Sequence, residues 1–122
     1  MRYTFFSLRG WLMKFGYALS GLRYLLVREN SFRVHLAATL IVIPLACIKH
    51  VNFGECIALT FAVGFVWSAE LLNTAIEKLA DKISPGYNLQ IKIIKDLAAA
   101  AVFIASVVAL LCGLLIFIPK FK

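Results

Sequence analysis

Three of the chain's six acidic residues, Glu70, Glu77 and Asp81, arrive in one short run that begins just after an uncharged stretch, Cys56 to Trp67. At about 100° per residue, Glu70, Asn73, Glu77 and Asp81 share one stripe of a helix. A carboxylate at the edge of an apolar layer is costly unless something pairs with it. Stacked carboxylates repel one another as well. The stripe therefore calls for a cation, a lysine or a partner surface to neutralise it, and Lys95-Asp96 follows a short turn later.

The elements that must hold this stripe read as membrane helices. The 122 residues are 62% hydrophobic, above the roughly 45–50% of a soluble domain. Mean hydropathy is +0.90, which agrees with a membrane chain. Leu97 to Ile118 is free of charge and is the clearest span. Leu36 to Ile48 is apolar apart from Thr39. Cys56 to Ala69 must borrow the acid-bearing turns after it to reach the roughly 20 residues that a span needs. The expectation is one integral-membrane domain over 1–122, all-α, with transmembrane helices near 30–49, 53–83 and 91–119.

The net charge of +7 does not point to nucleic acid, because the basic residues flank the spans, as the positive-inside rule requires. Ten of the 13 lie before the first span or between residues 78 and 95; the others are Lys49, Lys120 and Lys122. That asymmetry puts the N-terminus and the 78–95 region in the cytoplasm, and the 49–55 loop and the C-terminus outside. The acid stripe then faces the compartment that holds nucleotides.

Residues 3–27 read as an amphipathic helix lying on the membrane surface. Phe5, Leu8, Leu12, Phe15, Leu19, Leu22 and Leu26 keep helical spacing, with Arg2, Arg9 and Lys14 between them and Trp11, Tyr17 and Tyr24 as interfacial aromatics. No signal-peptide pattern is present. Arg28 to Arg33 marks the turn into the first span, with Asn30 or Ser31 as the expected N-cap. Glu29 either pairs with Arg28 or Arg33 or joins Glu77 on a divalent cation. His35 is expected to be a hydrogen-bonded structural residue. Ser84-Pro85-Gly86-Tyr87-Asn88 reads as a turn beside the acid stripe, where Gly86 permits a left-handed backbone and free N–H groups can approach phosphate. Cys47, Cys56 and Cys112 lack metal-like spacing and read as small core hydrophobes.

Glu70-Leu-Leu-Asn-Thr-Ala-Ile-Glu77, followed by Asp81 and then Lys95-Asp96-Leu-Ala-Ala-Ala-Ala-Val, resembles the signature of the small bacterial integral-membrane diacylglycerol kinase family, which includes undecaprenol kinases. Gly16-Tyr17, Gly21-Leu22-Arg23 and Glu29 followed by Phe32-Arg33 match its N-terminal half, so the resemblance covers nearly the whole chain. It implies a surface helix and three transmembrane helices per chain, a homotrimeric bundle with shared active sites, and a multi-pass location in the bacterial inner membrane. It also implies transfer of the γ-phosphate of ATP, with Mg²⁺, to the hydroxyl of diacylglycerol or undecaprenol.

By the same resemblance, Glu70 is the general base and Asn73 orients the network around it. Glu29 and Glu77 hold Mg²⁺ on ATP. Lys95 contacts phosphate, Asp96 is a further nucleotide contact, Gly86, Tyr87 and Asn88 form a nucleotide-contacting turn, and Tyr17 is an aromatic near the nucleotide. Where the family often has a basic residue near position 10, this chain has Gly10 beside Arg9. His35 stands where enterobacterial members have an acid and the undecaprenol-kinase branch commonly has His, which points towards undecaprenol.

The chemistry is consistent with those assignments. Phosphoryl transfer needs metal and lysine charge against phosphate and a positioned acceptor. The chain has neither a Gly-x-x-x-x-Gly-Lys-Ser/Thr loop nor a protein-kinase glycine loop, so a soluble kinase fold is excluded. Two other classes use the same residues. A small transporter or proton relay would place its acids near mid-membrane and need not consume ATP. A purely structural trimer would tolerate replacement of the acids.

Overall fold

The computed structural model describes residues 7–121. They form four α-helices and a short 3₁₀ turn: α1 (Leu8–Arg28), α2 (Asn30–Ile48), α3 (Phe53–Ile83), α4 (Leu89–Phe117) and η1 (Ile118–Phe121). No strand occurs among the described residues. Residues 3–6, where the surface helix was expected to begin, lie outside them. Three of the helices, α2, α3 and α4 continued into η1, are long and apolar enough to cross a membrane. At 31 residues, α3 is about 46 Å long, well beyond a hydrocarbon core of about 30 Å. One end of it must emerge, and the charged end is the one able to do so.

Local sequence explains the helix ends. The Ser7 hydroxyl caps α1 by accepting from the Gly10 amide at 3.2 Å. Extended backbone at Glu29 ends α1 and also begins α2, so a single residue makes the corner. The expected N-cap at Asn30 or Ser31 does not form: α2 starts at Asn30 with no side-chain cap. Arg33 instead reaches back across the corner. Its guanidinium donates to the carbonyl oxygens of Leu26, at 2.9 Å from Nε, and of Val27. These carbonyls are among the last of α1, which have no partner within their own helix. Asn52 and Glu55 form a reciprocal capping box at the start of α3. Asn88 caps α4, its Oδ1 accepting from the amides of Gln90 and Ile91 at 2.9 and 3.3 Å.

The closest pairing is α3 with α4, while α2 touches α3 more lightly. Small residues allow the close contact: Ala98 and Ala105 on α4 are buried, and Ala80 is buried on α3. Of the thin face expected at Ala98 to Ala101, only Ala98 is covered within one chain. Gly16 and Gly21 meet nothing within 4 Å of an added Cβ, so no close contact uses them here. Because α2 stands off, an apolar groove of about 440 Å³ opens between α2, α3 and α4, running from His35 to Phe117. Cys47 and Cys56 are exposed on a neighbouring groove rather than in a core, contrary to the sequence reading, and Cys112 is partly covered.

The two ends of the bundle differ in composition. At one end Leu59, Ile116 and Phe117 form a buried cluster. The 49–55 loop and the C-terminal turn share that end, joined by Lys120 on Glu55 at 2.9 Å and by Lys49 over the Phe121 ring. At the other end, α1 meets the charged part of α3, with Lys78 Nζ 5.3 Å from the centre of the Tyr24 ring. The helices therefore group the termini and loops into the two sets that the charge distribution requires. The apolar residues Leu8, Leu12, Phe15 and Leu19 of α1 stay exposed, leaving a face for lipid.

Candidate active site

Glu70 lies 17 positions after the start of α3, about 26 Å along its axis. That is near the far edge of a hydrocarbon core rather than at its middle. Its side chain is only 2% exposed. It is enclosed by residues of its own chain. The cover comes from the α1–α2 corner, where Leu25 and Phe32 are buried and Phe32 packs edge-on against Trp67 with ring centres 5.0 Å apart.

Two residues of α2, one turn apart, meet the Glu70 carboxylate. The Ser31 hydroxyl donates to Oε2 at 3.4 Å, a long contact. His35 Nε2 lies 3.0 Å from Oε1. The ring is not aligned to donate, however, so Oε1 is buried without a hydrogen-bond donor. The same turn of α2 is fixed by Thr39, whose hydroxyl donates to the His35 carbonyl at 2.8 Å and accepts from Trp67 Nε1 at 3.3 Å.

Further along the stripe, Asn73 Nδ2 donates to Glu77 Oε1 at 3.2 Å, and both side chains are half-buried. Asn73 Oδ1 is buried with no partner. Asp81 is exposed and pairs with Lys95 of the same chain. Asp96 pairs with Lys92 at 2.7 Å, one turn earlier on α4. Glu29 is half-buried at the corner. It makes no ion pair with Arg28 or Arg33, because Arg33 is turned to the α1 carbonyls. Glu29 and Asp81 are both near enough to Lys78 to feel its charge.

The expected site residues thus fall into two sets. Glu70, Asn73, Glu77, Lys95 and Asp96, with Glu29 at the corner, gather at one end of the bundle. Tyr17 and Tyr87 are exposed, Tyr87 at 83%, and neither is drawn into the acid cluster. Gly86 does not adopt the left-handed backbone that the turn sequence permits, and an added Cβ there would meet nothing. The Asn88 oxygen is already committed to capping α4. From sequence, Ser31 was read only as a candidate N-cap and Tyr24 only as an interfacial aromatic. Ser31 was legible as the position one turn before His35 on the same face of α2.

Residues 16–117 match the family described as prokaryotic diacylglycerol kinase. The chain belongs to this family. It is 37% identical over 92 residues to the undecaprenol kinase of Bacillus subtilis, covering 75% of each chain. It is 35% identical over 96 residues to the diacylglycerol kinase of Escherichia coli, covering 79% of each. It is 33% identical over 109 residues to the diacylglycerol kinase of Synechocystis, covering 88% of this chain and 62% of that one. The acid stripe, the α1–α2 corner and the start of α4 all lie within the matched region.

The donor set also bears on a metal. Among the described residues no three of His, Cys, Asp and Glu gather as a metal site. Mg²⁺ on a nucleotide does not need three, since it is bound through one or two carboxylates together with phosphate oxygens and water. Glu77, the unpartnered Asn73 Oδ1 and Glu29 are hard oxygen donors of the type that Mg²⁺ takes.

Proposed function

We propose that this lipid kinase transfers the γ-phosphate of ATP to the hydroxyl of a membrane lipid, either diacylglycerol or undecaprenol, at the Glu70 end of the bundle. The observation that carries the reading is Glu70 itself: a carboxylate 2% exposed, midway along α3 and near the edge of the hydrocarbon core, with Oε1 in no hydrogen bond. A buried acceptor of this kind is costly to leave unmade. The hydroxyl of a lipid would supply the missing donor, and Glu70 would take its proton as the oxygen attacks phosphorus.

Around that step the chain's own residues have distinct parts. Ser31 holds Oε2 and fixes the carboxylate plane. Asn73 fixes Glu77. Glu29 and Glu77 would hold Mg²⁺, which when bound neutralises charge on the phosphates. Lys95 would exchange its Asp81 partner for phosphate on nucleotide binding, an exchange that exposure of the pair makes inexpensive. The family resemblance favours assembly as a homotrimer in the bacterial inner membrane, with the Glu70 end in the cytoplasm, where ATP is.

Transfer of labelled phosphate from ATP to diacylglycerol and to undecaprenol, measured side by side with Mg²⁺ present and with it chelated, tests the reading. Labelled lipid product that requires Mg²⁺ is expected. ATP-independent ion flux without lipid product would favour a transporter and end the proposal.

A further inference from the structure

We propose that His35 is the proton outlet of Glu70: it takes on the proton that Glu70 removes from the lipid hydroxyl and passes it to water. The inference rests on the lipid-kinase reading above and deepens it. Each turnover leaves a proton on Glu70, and Glu70 has no route to solvent of its own because its side chain is 2% exposed. The nearest group able to accept that proton is His35 Nε2, 3.0 Å from Oε1, on a side chain that is 24% exposed. His35 is therefore the more accessible member of the pair.

The pair has a second property that points the same way. A carboxylate oxygen and an unprotonated ring nitrogen are both acceptors, and at 3.0 Å they repel unless one proton lies between them. One proton shared by the two sites removes the repulsion whichever atom carries it. The contact is not aligned as a hydrogen bond without substrate, a common state of catalytic contacts before the reacting complex forms. The backbone of His35 is held by Thr39, itself tied to Trp67, so rotation of the ring is the free movement left.

The step balances. The lipid O–H bond breaks as an O–P bond forms, and ADP leaves with the electron pair of the broken P–O bond. The proton passes to Glu70 Oε1; that O–H then breaks as N–H forms at His35 Nε2, and the imidazolium releases the proton to water. Because His35 acts through Glu70, it is a positioning residue for the proton rather than a group on the reacting atoms. The other charged groups on the surrounding elements are engaged elsewhere. Arg33 of α2 is on the α1 carbonyls. Glu77 of α3 is on Asn73, and Lys78 is beside Tyr24. On α4, Lys95 is on Asp81 and Lys92 on Asp96. Glu29 at the corner, Arg23 and Arg28 of α1 and Lys82 in the last turn of α3 also lie at this end. The α4 wall of the groove that His35 lines offers Ser106, Ala109 and Leu110, none of which titrates.

The test compares wild type, Glu70→Gln, His35→Gln and His35→Ala in labelled-ATP assays on the intact protein in detergent. In His35→Gln, kcat should fall by about 10²-fold, with KM for lipid and for ATP within about two-fold. Added imidazole should restore kcat of His35→Ala in proportion to its concentration and leave Glu70→Gln unchanged. Folded His35 variants that keep wild-type kcat, or that lose it without any response to imidazole, overturn the proposal. Failure of wild type to phosphorylate either lipid would instead remove the kinase reading, and the relay with it.

Discussion

Glu55 and Glu70 are the same residue type on the same helix, and the structure treats them in opposite ways. Glu55, in the first turn of α3, has Oε1 within 3.0 Å of the Asn52 amide and 2.9 Å of Lys120 Nζ, and its side chain keeps 23% of its exposure. Glu70 is ten times less exposed and has one long contact and one oxygen with no donor. The asparagines beside them repeat the contrast. Asn52 accepts from the Glu55 amide at 2.8 Å in a closed capping box, whereas Asn73 leaves Oδ1 buried and unpartnered. The Glu55 end is complete and holds the helices together. The Glu70 end leaves two buried oxygens, Glu70 Oε1 and Asn73 Oδ1, without a hydrogen bond inside the chain.

Replacement should separate the two ends sharply. Glu70→Gln keeps the shape and removes the base, so lipid phosphorylation should fall by about 10²-fold or more while the fold, followed by circular dichroism and size-exclusion chromatography, is retained. Near-normal turnover would remove Glu70 from the chemistry. Glu29→Ala and Glu77→Ala should each raise the Mg²⁺ concentration for half-maximal rate, by about ten-fold if each supplies one hard ligand. A Mg²⁺ titration unchanged in either variant would make that acid a structural one.

A smaller effect tests whether the incomplete end is finished by another subunit. Co-assembly of a Glu70→Gln chain with a Glu29→Ala chain should recover a fraction of wild-type activity, because a mixed trimer can hold one composite site with both native residues. Mixed assemblies with no activity above their parents would place the site within one chain. The smallest effect is expected at the closed end. Glu55→Gln should leave lipid phosphorylation within about two-fold of wild type, as befits a partly exposed ion pair. A loss as large as that of Glu70→Gln would erase the contrast between the ends.

Much of this arrangement was legible in sequence because it depends on one helix at a time. The stripe of Glu70, Asn73, Glu77 and Asp81 follows from helical periodicity, and the three apolar helices follow from hydropathy. The contacts that were missed join residues far apart in sequence. His35 and Glu70 meet only because α2 packs beside α3, and nothing within either helix specifies that pairing. Lys95, read both as a neutraliser of the stripe and, by resemblance, as a phosphate contact, serves Asp81 across the turn. Glu29 had two candidate arginine partners in sequence; the choice of Arg33 to close the end of α1 left it without that pair. The turn at 84–88 looked suited to a nucleotide because its residue types serve phosphate loops and helix caps equally. In the structure Asn88 makes the cap.

The single-residue corner at Glu29 leaves no slack between α1 and α2. Two helices joined this tightly are indexed to one another, as meshed gears are. Adding one residue between Arg28 and Asn30 would require a relative rotation of about 100°. If α2 took up the turn, Ser31 and His35 would swing away from Glu70. If α1 took it up, the carbonyls of Leu26 and Val27 would swing away from Arg33. Neither outcome is neutral, so the length of this corner is as much a determinant of the site as any side chain in it.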